Sequence, residues 1–300
     1  MYAITGATGN TGSEVVHKLL NNSKRIRVIG RNAEHLHHFV ARGAEAVIAD
    51  LTDTAKLVQA FTGTEAVYAM IPPNPAAPDV LAYDDRITAS LASALVAAHV
   101  PYVVSLSSVG ADKPEGTGPV MGLRRLEQAL DGIDGLNALQ LRAGYFMENT
   151  LAQAVAIQAT GAMAGPIRAD LKLPMIAARD IGGAAAEALL QLGFKGHQTR
   201  ELLGQRDISY AEVSSIIGRA IGQPALKYTQ LPPEQMRPIL AQMGMSPNFI
   251  DRLLEMCAAL NSESMKPLER RSPQNTTPTS YESFVGEKFM PAYQKLSKAA

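Results

Sequence analysis

The amino-acid sequence predicts an α/β protein built on a doubly wound parallel sheet, with a smaller, mostly helical second region. Three observations lead there. The first 150 residues alternate short β-type runs with amphipathic helical stretches. A glycine loop, Gly6-Ala-Thr-Gly-Asn-Thr-Gly12, stands between the first β-type run and the first helical pattern. After Asn149 the rhythm changes to longer helices with few convincing strands.

The strands expected in order are Tyr2–Thr5, Ile26–Gly30, Ala46–Ala49, Ala66–Ile71, Tyr102–Ser105 and Ala138–Leu141. Helical spacing between them is carried by Val15, Val16, Leu19 and Leu20, then by Leu36, Phe39 and Val40 up to Gly43, then by Leu57, Val58 and Phe61 up to Gly63. The long stretch Ile87–Val100 supplies a fourth helix. Further on, Asp180 reads as the cap of a helix reaching Leu190, and Ser209 as the cap of one reaching Ile221. Pro232–Met243 and Pro247–Leu260 form a helical pair, and a last helix follows Ser280 with Phe284, Val285 and Phe289 on its apolar side. Asn261–Thr279 is polar, proline-containing and aperiodic, and reads as a loop whose role toward the cleft is open. The expected division is a sheet-bearing domain over 1–150 and a smaller region over 151–300, interleaved with the first.

Composition narrows the partners. Lys+Arg and Asp+Glu balance at 28 each, so no net positive field gathers nucleic acid or an anionic membrane. A small-molecule ligand is expected instead, and a homodimer stays open. No apolar run approaches the roughly 20 residues of a spanning helix. Met1 runs straight into a strand without a leader pattern, which predicts a cytoplasmic protein. The single cysteine, Cys257, falls on the apolar spacing of Leu253, Leu254 and Leu260 and reads as a core thiol. His35, His37 and His38 crowd one short helix without an acidic or thiol partner at ligand spacing, so no metal site is expected.

The glycine loop carries the strongest chemical signal. Gly6 permits a tight turn, Gly9 lets backbone N–H groups approach a pyrophosphate, and Gly12 lets the helix pack against the strand. The helix N-terminus adds partial positive charge, and Thr8, Asn10 and Thr11 add side-chain donors. At the end of the second strand, where a carboxylate would hold a ribose 2′-hydroxyl, stands Arg31 followed by Asn32. A guanidinium there favours NADP(H), although a solvated loop cation has the same sequence appearance. Asp50 and Leu51 close the third strand, placed to meet adenine or simply to turn the chain into the next helix. Met70-Ile-Pro-Pro-Asn-Pro-Ala-Ala-Pro78 follows strand four as a stiff loop over the nicotinamide half.

With the glycine loop, Arg31-Asn32, Ser107-Ser108 and Arg142-Ala-Gly-Tyr-Phe-Met-Glu-Asn149 together, the chain resembles the NmrA-like group, atypical relatives of the short-chain dehydrogenases/reductases. The resemblance spans nearly the whole chain, including the helix start at Arg179-Asp180-Ile181 and the terminal Pro278–Tyr293 helix. It implies a Rossmann domain with NADPH across the strand ends and a smaller C-terminal region walling a substrate cleft. It further implies that Gly6, Thr8, Gly9, Asn10, Thr11 and Gly12 hold the pyrophosphate, Arg31 the 2′-phosphate, and Asp50 and Leu51 the adenine. Met70 and Ile71 would line the ribose, and Gly144, Tyr145 and Phe146 the nicotinamide side.

The catalytic equipment is thinner. None of the nine tyrosines has a lysine at the fourth position after it, so the Tyr–Lys dyad of the parent superfamily is absent. Reductases resembling this group place a lysine four residues before a glutamate on the helix after strand five; here Glu127 matches but Leu123 holds the lysine position. Ser107, Tyr145 and Asn149 are the polar groups expected nearest the nicotinamide, and each also reads as a strand-end hydrogen bonder, a packing residue or a helix cap respectively. Two functions follow: an NADPH-dependent oxidoreductase acting on a small apolar electrophile such as a quinone, azo or conjugated carbonyl compound, or an NADP(H)-binding redox sensor without turnover.

Overall fold

Each of the six expected β-type runs forms a strand in the computed structural model, which describes residues 1–297. They are β1 (Tyr2–Ile4), β2 (Ile26–Gly30), β3 (Glu45–Ile48), β4 (Ala66–Ala69), β5 (Tyr102–Ser108) and β6 (Asn137–Ala143). Between them run α1 (Asn10–Asn21), α2 (Ala33–Val40), α3 (Thr54–Phe61), α4 (Val80–Ala97) and α5 (Val120–Asp131). The strands pair in parallel in the spatial order β3-β2-β1-β4-β5-β6. β1 and β4 are buried throughout because helices cover both sheet faces, which is why their sequences are apolar without alternation. Short polar caps set the helix starts: the side chains of Asn32, Asp53 and Asp79 accept backbone N–H groups of α2, α3 and α4.

The second half contains β7 (Tyr145–Phe146), a 3₁₀ turn (Met147–Ala152), α6 (Gln153–Thr160), β8 (Met163–Gly165), β9 (Leu173–Ile176), α7 (Ala178–Gln191) and β10 (His197–Leu202). It continues through β11 (Asp207–Ile208), α8 (Tyr210–Ala220), β12 (Tyr228–Gln230), α9 (Pro233–Gln242), α10 (Pro247–Asn261), α11 (Tyr281–Phe284), a π turn (Val285–Phe289) and α12 (Met290–Ser297). β10 adds a seventh parallel strand beside β6, and α7 packs on α1. Residues after 150 therefore build part of the first layer as well as the second region.

Six strands of this half were not anticipated. β10 is an edge strand whose first four residues are exposed and polar, so it carries no apolar signature. β7, β8, β9, β11 and β12 are two to four residues long and pair only with one another in two small sheets. The helix start near Asp180 also differs from expectation. Ala177 is the cap, Glu148 accepts the Ala178 N–H at 3.0 Å, and Asp180 sits in the first turn accepting from the Thr279 N–H and hydroxyl at 3.0 and 2.7 Å. Ser209, in contrast, caps α8 in a reciprocal capping box with Glu212, and Ser280 caps α11.

Three large apolar cores result among the described residues, with a smaller fourth around Met236, Leu240, Ile250 and Leu254 between α9 and α10. Val15, Leu19, Phe39, Ile181 and Leu189 fill one sheet face; Phe61, Ile87, Leu91, Leu126 and Leu130 fill the other. The third lies in the second region, around Tyr210, Cys257, Tyr281, Phe284 and Phe289. Burial pushes the Cys257 thiol up to about 12, so it packs as an apolar side chain. Among the described residues no helix is long and apolar enough to cross a membrane, and no group of three His, Cys, Asp or Glu side chains is placed to hold a metal.

Candidate functional site

The strand order reverses between β1 and β4, and a cleft of about 640 Å³ opens there at the carboxyl ends of the strands. Its floor is the glycine loop. Gly6 has φ +59°, and a side chain on it would meet the Met70 sulfur at 2.5 Å. Gly12 lies beneath, where a Cβ would fall 2.1 Å from the Gly6 carbonyl oxygen, so helix and loop touch backbone to backbone. The Tyr68 hydroxyl donates to Thr11 Oγ1 at 2.9 Å, leaving the Thr11 hydrogen for another acceptor. Thr5 Oγ1 donates to the Tyr68 carbonyl at 3.0 Å and accepts from the Met70 N–H at 3.0 Å, which fixes β1 to the start of the proline loop.

Around this floor the cleft is lined by Thr8, Gly9, Asn10 and Thr11, then by Arg31, Asp50 and Leu51 from the ends of β2 and β3, then by Met70, Ile71 and Phe146. Arg31 is exposed and has no hydrogen bond or ion pair among the described residues. Asp50 is engaged locally. It accepts from the Thr52 N–H at 2.9 Å and hydroxyl at 2.7 Å, and these bonds, with Arg31 nearby, hold its carboxyl below the usual range against the opposing effect of burial. It is thus both the turn residue and part of the cleft wall.

A second cavity of about 250 Å³ adjoins the first, with Phe146 and Asn149 on the walls of both. It is mainly apolar: Val120 and Leu123 from α5, Leu171 and Leu173 beside β9, and Met256 and Leu260 from α10 enclose it. Gly144 and Tyr145 line this cavity rather than the first; Gly144 is packed so that a Cβ would fall 2.2 Å from the Pro174 carbonyl oxygen. Ser107, Tyr145 and Asn149 are therefore brought together at one wall.

Their hydrogen bonds assign distinct states. Ser107 Oγ donates to Glu127 Oε1 at 2.6 Å, and Arg142 clamps the same carboxylate with bonds of 2.9 and 2.7 Å. The Ser107 proton is turned away from the cavity, into a buried ion pair. The Tyr145 hydroxyl meets that of Tyr210 at 3.0 Å. Burial pushes the Tyr145 phenol up to about 12, with Tyr210 and Asn149 partly offsetting it, so it is a protonated hydrogen-bond donor at neutral pH. Glu148 stands at the cleft edge as the acceptor for the first N–H of α7; burial raises its carboxyl and that bond opposes the rise.

Other lining residues carried no sequence signal. Tyr83 on the first turns of α4 and Leu106 on β5 enter the first cleft, and Met265, Lys266 and Pro267 enter the second from the aperiodic segment after α10. That segment is held by Glu201, a buried residue of β10 whose carboxylate accepts the Leu268 and Glu269 N–H groups at 2.9 and 2.8 Å. No motif marks such residues, because their place is set by tertiary packing.

The NmrA-like family model matches residues 2–284. An NAD(P)H azoreductase from Xenophilus azovorans is 29% identical over 260 residues, covering 86% of each chain. Quinone oxidoreductase 2 of Escherichia coli is 26% identical over 260 residues, covering 85% of this chain and 86% of the relative. Among solved structures, the NADPH-dependent quinone oxidoreductase of Escherichia coli complexed with NADPH superposes with a TM-score of 0.81 at 24% identity, over 96% of this chain and 100% of that one. The triphenylmethane reductase of a Citrobacter species complexed with NADP(H) gives 0.77 at 17% identity, over 97% and 99%. With a match from the first strand to α11, the chain belongs to the NmrA-like family.

Proposed function

We propose that the protein is an NADPH-dependent reductase that passes hydride to a small, largely apolar electrophile of the quinone, azo or conjugated carbonyl class. The observation that carries this reading is the junction of a dinucleotide-shaped cleft and an apolar cavity at Phe146 and Asn149. The relatives named an azoreductase and a quinone oxidoreductase agree with it.

The residues present fit the cofactor. The floor at Gly6 and Gly12 is a cradle that a Cβ would fill, and the N-terminus of α1 points its free N–H groups to the same place, where a pyrophosphate is stabilised. Arg31 would hold the 2′-phosphate; its guanidinium is not committed to any carboxylate by an ion pair. Tyr83 would lie along the adenosine with Asp50 and Leu51, and Met70, Ile71 and Phe146 would flank the ribose and nicotinamide.

When bound, reduced nicotinamide supplies the hydride. The chain's part is to hold the acceptor flat against Leu123, Leu173 and Met256, keep water from the reacting face, and stabilise the oxygen or nitrogen that becomes electron-rich. Tyr145 is the donor for that atom, with Asn149 beside it. Ser107 stiffens the wall through Glu127 and Arg142 rather than giving a proton. The balancing proton comes from solvent at the cavity mouth, which suits acceptors whose reduced forms are stable anions.

One observation favours a second reading, that of a dinucleotide sensor: Leu123 occupies the place of a lysine acid and lines the cavity. The two readings part on one experiment. Protein saturated with NADPH is mixed with quinones, azo dyes and enals, and loss of nicotinamide absorbance is followed. Steady consumption with at least one acceptor supports the reductase; tight NADPH binding with no consumption in the whole panel leaves the sensor.

A further inference from the structure

The second cavity is apolar in its depth but not at its mouth. Lys172 and Lys266 both line it, from separate segments of the chain. Each is presented from fixed backbone. Lys172 lies between Leu171 and Leu173, both buried, with Leu173 paired to Ile208 of β11. Lys266 follows Met265, which packs against Gly110 so closely that a Cβ there would stand 2.7 Å from its side chain, and it precedes the two N–H groups that Glu201 holds.

Lys172 makes one long ion pair, and Lys266 makes none among the described residues. The carboxylate nearest Lys172 is Glu212 at 3.9 Å, and Glu212 is already engaged by the Ser209 N–H at 2.9 Å and by Arg206 at 3.4 Å. Lys266 is exposed and has no hydrogen bond or ion pair among the described residues. Glu263 is the one acidic residue lining this cavity, and it faces Arg168 at 3.7 Å. An apolar slot with two lysines in its lining, one unpaired and one held only by a long bond to a shared carboxylate, matches a ligand with an apolar body and an anionic end. The apolar part gains by leaving water, while the charged end stays at the wet mouth, where desolvation costs little and opposite charge is nearby.

We propose that the acceptor carries an anionic group, a carboxylate, sulfonate or phosphate, that Lys172 and Lys266 recognise while its conjugated part occupies the cavity. This rests on the reductase reading of the same site and narrows its substrate class. A neutral acceptor enters the same slot but leaves the two cations unused.

The test is calorimetric and independent of turnover. Protein saturated with NADP⁺ is titrated with a naphthoquinone bearing a sulfonate and with its methyl counterpart. The same titrations are made on K172Q/K266Q and K172E/K266E, whose folding is checked by their NADP⁺ affinity. The expected result is a preference for the sulfonate in the wild type. That preference should fall about threefold in the glutamine pair and about tenfold or more in the glutamate pair, and weaken as salt is raised. A preference unchanged across the three proteins overturns the proposal, as does absence of binding by the sulfonate. Failure of the reductase reading looks different: the sulfonate binds with the lysine dependence described, yet the NADPH-loaded protein reduces neither quinone.

Discussion

Two side chains carry most of the chemical claim, and a third bears on stability. Arg31 should set cofactor choice: Arg31→Glu is expected to weaken NADPH binding about tenfold to a hundredfold while changing NADH binding far less, because a charge-assisted bond to one phosphate is lost. Fluorescence titration with both nucleotides checks it, and an unchanged NADPH/NADH ratio removes Arg31 from the site. Tyr145→Phe should lower turnover about tenfold, and the pH profile between pH 6 and 9 should keep its shape, since the phenol is pushed up to about 12 and does not ionise in that range. Asp84 bears on stability. It is a buried carboxyl on α4, against Gly122 of α5, and burial with the neighbouring Asp85 raises it to about 7. A raised carboxyl binds its proton more tightly in the folded chain, so stability falls as pH rises from about 4 to about 7 and the penalty is complete above that. Asp84→Asn should therefore raise Tm at pH 8 relative to wild type, by an amount equivalent to at most a few kcal/mol, and have little effect near pH 4.

At the scale of elements, legibility followed burial pattern. β1, β2 and β4 to β6 were readable because a strand covered on both faces is a short apolar run between turn residues, and β3, a mostly exposed edge strand, was readable only from the short apolar run at Ala46–Ala49; the glycine loop was readable because Gly6 has a positive φ and Gly12 meets backbone where a side chain would stand. β10 was not, because an edge strand with four exposed polar residues has neither alternation nor an apolar run. Asp180 was misassigned as a cap because the true partner of the α7 N-terminus, Glu148, comes from 30 residues upstream. Most of the residues expected to hold a cofactor line one cleft because they are neighbours in sequence, on the glycine loop and the ends of β2 to β4. Much of the second cavity was not legible, since Met256, Met265 and Lys266 come to share it with Tyr145 only through the packing of α10 and the segment that follows it. That segment depends on Glu201. Glu201→Ala leaves two N–H groups without their charged acceptor and should lower stability by about 2–4 kcal/mol. It should also weaken acceptor binding more than NADPH binding, which parallel titrations would show.

For the whole molecule, the sheet fixes where a dinucleotide lies and the second region fixes what can meet it. Helix α7 and strand β10 tie the two together, because both lie in the second half of the sequence, between segments that wall the second cavity, yet pack in the first layer. The α9–α10 hairpin adds a further tie: the Ser246 N–H and hydroxyl donate to the carbonyls of Pro75 and Ala77, and Asn248 accepts from the Val80 N–H, so the cavity wall and the proline loop over the cleft are joined. On the proposed reading, such a frame would hold two reactants face to face with little acid–base equipment between them, which suits an acceptor that needs hydride more than it needs a proton. The most direct measurement is an anaerobic single turnover: protein loaded with one equivalent of NADPH is mixed with a naphthoquinone and followed at the nicotinamide absorbance. The expected result is oxidation of the bound cofactor in full, matched by hydroquinone formed and slowed about tenfold in Tyr145→Phe. Cofactor that stays reduced while the quinone is shown to be bound would contradict the account.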